Sequence, residues 1–204
     1  AGAVLHGVTE TTEGLTPDVA LTKLQEGNAR YIAMQDVDPN LSTERLLAVS
    51  KGQHPFAAIM GCVDSRVPPE LVFDRGLGDL FDARVAGAIA DDSIIGSIEF
   101  GVEEFDIPLV VVMGHSNCGA VKATVKAVDS GNTEMPGKIG AVAGPIVPAV
   151  KAVQAKGVTG DAVVPAVVEE VVRESLAALE ESPIIKERVD AGTVKLVGAV
   201  YDLR

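Results

Sequence analysis

The sequence predicts an α/β fold, a mostly parallel central sheet flanked by helices and preceded by an N-terminal helical arm. Three observations carry this expectation. Uninterrupted apolar runs at residues 56–60 and 107–113 read as strands buried on both faces. Segments with apolar residues at three- and four-residue steps separate the strand runs, and such alternation gives a parallel sheet covered by helices. The composition is 47% apolar but only 3% aromatic, with 21 Gly and no Trp. Side chains this small suit closely packed α/β layers.

Taken in order, residues 1–15 are polar, Gly-bearing and aperiodic, and are expected to form a mobile arm. Thr16-Pro17 is a helix start, with Thr as cap and Pro in the first turn. The stripe through Leu21, Leu24, Ala29, Tyr31 and Ile32 carries that helix to about residue 34. Ser42 or Thr43 caps a short helix bearing Leu46, Leu47 and Val49. This helical arm precedes the first strand and is expected to pack on a partner subunit. A strand over 56–60, a short helix over 70–73 and a turn at Gly76-Leu77-Gly78-Asp79 follow. That turn lacks the helix of a nucleotide-binding loop. Residues 80–86 read as a second strand. Asp91, Asp92 or Ser93 caps a helix carrying Ile94, Ile95, Ile98, Val102 and Phe105. The most apolar strand ends at Met113, and a helix over 119–127 comes after it. Residues 129–145 read as loop. Helices are expected over 146–155, 161–179 and 183–189, and a final strand over 193–201.

At 204 residues the chain suits a single domain spanning 1–204. Its net charge of −12 argues against nucleic acid and anionic membrane surfaces as partners, because both are bound by clustered Lys and Arg. No apolar run reaches the length of a membrane span. Two Cys allow at most one disulfide, which is no framework for a chain of this size. The start, Ala1-Gly2-Ala3, fits either a trimmed cytoplasmic chain or an exported one after signal cleavage. The strand pattern running up to Arg204 suggests that a few natural residues follow.

The chemistry-bearing residues gather in two stretches. Gly61-Cys62-Val63-Asp64-Ser65-Arg66 follows the first buried strand, and Gly114-His115-Ser116-Asn117-Cys118-Gly119 follows the most apolar one. They hold both Cys and one of the three His of the chain. Loops at the carboxyl ends of parallel strands are where open α/β sheets bind ligands. Cys62, His115 and Cys118 offer the thiolate and imidazole donors that zinc takes, with Asp64 as the natural fourth ligand. Arg66, two residues on, can pair with the Asp64 carboxylate in bidentate fashion. The carboxylate then has two alternatives. On zinc it shuts the site, and on Arg66 it leaves the fourth position to water. Two thiolates and a neutral imidazole cancel the charge of zinc, so its water is acidified less than in a three-histidine site and activity should rise towards alkaline pH.

These residues resemble the β-class carbonic anhydrases. Cys62-x-Asp64-x-Arg66 and His115-x-x-Cys118 match that family's motifs, and the likeness extends through Glu26-Gly27-Asn28-Ala29-Arg30-Tyr31, Gln53-His54-Pro55, Gly96-Ser97-Ile98-Glu99-Phe100 and Val197-Gly198-Ala199-Val200-Tyr201-Asp202. The resemblance implies the β-carbonic anhydrase fold, one Zn2+ per chain and reversible hydration of CO2 to bicarbonate and a proton by zinc-bound hydroxide. It also implies a homo-oligomer, dimer or tetramer. Gln53 is implied as a donor to substrate oxygen, as in the plant-type subgroup, with Phe81 and Ala86 lining the CO2 pocket. Gly119 could add a backbone donor at its helix start. The subgroup with an inhibitory bicarbonate usually has Trp three residues before the first zinc Cys, where this chain has Ile59, so no such site is expected. Ala88 departs from the family's usual Asn. His6 and His54 are expected to face solvent, with His54 a weak candidate for proton transfer. Two further readings use the same residues: hydrolysis of carbonyl sulfide or carbon disulfide, and a zinc-stabilised interaction domain without activity.

Overall fold

A computed structural model describes residues 15–204, so all but the last residue of the expected arm lies outside the described residues. Four strands, β1 (Ala57–Gly61), β2 (Leu80–Arg84), β3 (Leu109–His115) and β4 (Lys195–Tyr201), form one sheet in the order β2-β1-β3-β4. Every pairing is parallel, and Gly61 stands beside both Arg84 and Met113. Both central strands are buried along their whole length. Alternation assigns their side chains to opposite faces: Ala58, Met60, Val110 and Val112 enter one core, Ala57, Ile59, Leu109, Val111 and Met113 the other.

On the second face lies α1 (Pro17–Ile32), capped by Thr16, which accepts from the Val19 amide. Ala20 and Leu24 of α1 are buried in that core, so this helix covers more of its own chain than the sequence suggests. A Cβ at Gly27 would lie 1.8 Å from the Phe73 carbonyl oxygen, which is what lets α1 meet α3 (Pro69–Val72) so closely. The next helix, α2 (Thr43–Val49), buries no residue, and Leu46 and Leu47 are exposed.

On the first face lies α4 (Asp92–Phe105), whose N-cap Asp91 accepts from the amides of Ser93 and Ile94, with Ile94, Ile98 and Val102 turned inward. It is joined by α7 (Val163–Glu180) and α8 (Pro183–Asp190). Gly114 and Gly198 bring α7 down onto the sheet, since a Cβ at either would come within 2.9 Å of Val172. At the carboxyl end of the strands, α5 (Gly119–Asp129), α6 (Ile139–Ala155) and α7 enclose a third core with Cys62 and Cys118 in it.

Two expectations about elements fail. α6 begins at Ile139 and not at 146, despite Gly140, Gly144, Pro145 and Pro148. Ala143, Ile146, Ala149, Val150 and Val153 recur along one buried face, so tertiary packing outweighs the local breakers, as it commonly does. The second strand stops at Arg84, because Ala86–Ala88 forms a tight turn with Gly87 at φ 82° and Ala88 at φ 55°. Asn and Asp visit that left-handed region far more readily than Ala, so the Asn that the resemblance implies at position 88 would suit this turn better than Ala88 does.

Candidate metal centre

Cys62 directly follows β1 and His115 ends β3, so two adjacent parallel strands carry both to the same end of the sheet. Cys118 arrives from the short loop after β3, as the residue preceding the first turn of α5. The three donor atoms all lie within 4.8 Å of one another. The residues are buried, with 5%, 1% and 2% of their surface exposed.

The polar surroundings of this cluster fix its chemistry. The Gly87 amide donates to Cys62 Sγ at 3.3 Å, so the turn that displaced the strand end has a function in the site. The Cys62 thiol is lowered to about 4, first by hydrogen bonding from Cys118, against burial, with His115 and the Gly87 amide adding to the effect. Cys118 is raised in turn, first by that same bond and then by burial. The hydrogen bond between the two sulfurs thus moves them in opposite directions, Cys62 down and Cys118 up. Burial would lower the His115 pKa, but the Cys62 thiolate, the Ser116 carbonyl and Asp64 together raise it.

His115 Nδ1 lies 2.9 Å from the Ser116 carbonyl. A carbonyl only accepts, so Nδ1 carries hydrogen and Nε2 holds the free lone pair. Buried Nε2 has no hydrogen-bond partner. An orphaned imidazole nitrogen enclosed with two thiol sulfurs is the donor set of a zinc site, and the residues fit that ion.

Asp64 stands beside this trio and is not part of it. Its carboxylate takes Arg66 Nε at 2.9 Å and Nη2 at 2.8 Å, and the Arg66 amide at 3.0 Å. Its Oδ2 is 3.7 Å from His115 Nε2. The Arg66 side chain, first, holds the Asp64 pKa well below the usual carboxylate range. Of the four candidate ligands the structure gathers three, and the fourth is engaged by Arg66.

The remaining candidates divide by which end of the sheet they occupy. Ala86 neighbours Gly87 at the metal end. Gly119 opens α5 there, exposed, with nothing within 4 Å of a Cβ built on it. Gln53 is exposed in the turn before β1, so the whole strand, on the order of 17 Å, separates it from Cys62. Phe81 pairs with Ala58, near the start of β1, and packs on Phe105 at 5.8 Å between ring centres. Neither reaches the metal cluster of its own chain. His54 is exposed at that distant end as well, and His6 lies outside the described residues. A cavity of about 350 Å³ beside Pro108 and Val194 also opens at that far end, so concavity alone does not point to the metal centre.

Three residues that hold the site receive no role from the motifs, although Ser116 and Asp202 lie within the stretches that carry the resemblance. Arg84 donates from Nε to the Cys62 carbonyl (2.9 Å) and from Nη2 to the Asp64 carbonyl (2.8 Å). Ser116 and Asp202 are joined by a 2.9 Å bond across 86 residues. The expected strand runs on past Arg84 to residue 86, so the place of Arg84 at the strand end shows only in the structure. Nothing local marks the other two.

Comparison with known proteins agrees with this geometry. The family model described as Carbonic anhydrase matches residues 57–204. The chain is 39% identical to a carbonic anhydrase of Mycolicibacterium smegmatis over 189 residues, covering 92% of this chain and 89% of that protein. Carbonic anhydrase 2 of Mycobacterium tuberculosis is 38% identical, with the same coverage. Among solved structures, the β-carbonic anhydrase CcaA superposes with a TM-score of 0.70 at 26% identity, covering 90% of each chain. The Coccomyxa β-carbonic anhydrase in complex with acetazolamide gives 0.71 at 25% identity, over 90% of this chain and 82% of that one.

Proposed function

This chain belongs to the carbonic anhydrase family, in its β class, and from that premise we propose that it hydrates CO2 reversibly at one zinc ion held by Cys62, His115 and Cys118. The observation that carries the proposal is the buried, unpartnered His115 Nε2 beside two thiol sulfurs and the Asp64 carboxylate. When bound, zinc supplies Lewis acidity towards water, tempered by the two thiolates, and this is the basis for activity that climbs with pH. Asp64 accepts a hydrogen bond from the attacking water and so orients it. Arg66 keeps that carboxylate anionic and engaged, with Oδ2 3.7 Å from His115 Nε2. Ala86 and the Gly119 amide border the space where substrate meets the water.

Gln53 and Phe81 serve substrate only if a second copy delivers them, since each stands at the far end of its own sheet. The working unit is therefore a homodimer or a tetramer built from it, with 1–204 as one domain. No observation favours carbonyl sulfide or carbon disulfide as the substrate.

The test is stopped-flow CO2 hydration by zinc-loaded protein from about pH 6.5 to about pH 9, beside Asp64→Asn. Turnover should rise with pH and drop at least about a hundredfold in the variant, the scale of a positioned proton acceptor. No turnover at any pH with one zinc per chain confirmed would overturn the proposal.

A further inference from the structure

We propose that Asp202, acting through Ser116, is a positioning residue for His115. This rests on the reading of His115 as a metal ligand. The last register pair of β3 and β4 is His115 with Tyr201, so the ladder runs out at the residue that presents Nε2. Beyond it the Ser116 amide donates to the Tyr201 carbonyl at 2.8 Å. The Ser116 hydroxyl then donates to Asp202 Oδ1 at 2.9 Å and accepts from the Leu203 amide at 2.9 Å. Side-chain bonds thus add one more rung where backbone pairing ends.

The rung matters because of what the same residue does on its other side. The Ser116 carbonyl is the acceptor that fixes hydrogen on His115 Nδ1 and leaves the Nε2 lone pair free. Its peptide plane leads into Asn117 at φ 58°, a left-handed conformation that Asn adopts more readily than most residues. With its amide on Tyr201 and its hydroxyl between Asp202 and Leu203, Ser116 is anchored at its Cα, and this anchorage places its carbonyl against Nδ1. Partners behind a metal-binding His commonly set its tautomer and ring orientation, and losing one weakens metal binding by about 10–100-fold. Asp202 is one residue further out, so about tenfold, the lower end, is expected.

Asp202 is largely exposed, with 57% of its side chain accessible, so Asp202→Ala should fold. Asp202→Asn keeps an oxygen able to accept from Ser116 and serves as the rescue. Two readouts are taken on the full chain. One is Zn2+ affinity by competition with a chromophoric chelator, and the other is the His115 tautomer, from side-chain 15N shifts of the metal-free protein. Asp202→Ala should bind Zn2+ about tenfold more weakly and lose the single Nδ1–H tautomer, while Asp202→Asn stays within about twofold of wild type on both counts. A merely structural tail would lower the melting temperature of Asp202→Ala and leave its tautomer and affinity unchanged, and that result would overturn the inference. Should the wild-type chain bind no Zn2+, the functional reading fails first. The tautomer comparison still decides whether Asp202 positions His115.

Discussion

Removing Arg84 tests how much of the metal centre is imposed from outside the ligand set. Its guanidinium makes two charge-assisted bonds, 2.9 Å to the Cys62 carbonyl and 2.8 Å to the Asp64 carbonyl. Such bonds are each worth about 1.5–3 kcal/mol. Arg84 is half-buried, so water can partly replace it and the lower figure applies, about 3 kcal/mol for the two. Arg84→Met keeps much of the apolar stem but neither donor. Urea denaturation of the metal-free variant measures the part spent on the folded state. The part that orders the 62–64 loop for the ion appears as weaker Zn2+ binding, tenfold for each 1.4 kcal/mol. The two losses should together approach about 3 kcal/mol, with CO2 turnover falling as Asp64 loses its place. Arg84→Lys, able to reach one carbonyl, should fall about midway. Stability and Zn2+ affinity both within about 0.5 kcal/mol of wild type in Arg84→Met would refute the claim that Arg84 holds the loop.

Two further outcomes follow from the geometry. Gln53 lies at the opposite end of β1 from Cys62, so Gln53→Ala and Asp64→Asn, each impaired alone, should complement when their subunits are mixed and re-equilibrated. Random pairing makes half the dimers mixed, each with one intact site of two, so about a quarter of wild-type activity should return; no recovery would place Gln53 outside the site. Asp74, buried, takes Arg30 Nε and the amides of Val37 and Asp38. Although burial alone would raise its pKa, Arg30 and those amides hold it below the ordinary value. Its contribution to stability is therefore complete above the unfolded carboxylate value of about 3.9 and disappears as pH falls through the lower folded value. Arg30→Ala should cost about 3 kcal/mol at neutral pH by stranding a buried charge and should flatten the acid limb of a stability-against-pH curve. An unchanged acid limb would show that this pair does not set it.

What the sequence made legible was local. The runs that became β1 and β3 are apolar throughout because both faces are buried, and the residues following such strands were the right place to look for Cys62 and His115. The caps at Thr16, Ser42 and Asp91 are three- or four-residue signals, and all three formed. The 139–145 turns of α6 were hidden because Gly140, Gly144 and Pro145 are breakers by intrinsic preference, overruled by a buried face that exists only once α5 and α7 are in place. The turn at Ala86–Ala88 was hidden for the converse reason, a non-glycine residue in a conformation it disfavours. Gln53 is legible as a residue type, but its spacing does not tell which copy it serves, since nine residues along an extended chain carry it away from its own Cys62.

The positions of Arg84 and Asp202 show a further regularity in the order β2-β1-β3-β4. The two central strands end in the proposed ligands, Cys62 after β1 and His115 on β3. Each outer strand ends in a residue that grips the loop of the central strand beside it: Arg84, the last residue of β2, holds the loop after β1, and Asp202, directly after β4, holds the loop after β3. A parallel sheet brings all four carboxyl ends to one edge, so the last residue of β2 and the first residue after β4 each reach the neighbouring strand's loop. An antiparallel outer strand would present its amino end there, and the residue following it would lie at the far side of the sheet. Strand direction thus supplies the ligands and their supports together, and the supports arise from pairings 20 and 86 residues apart in sequence. For that reason a motif found by local spacing identifies the donors and passes over what holds them.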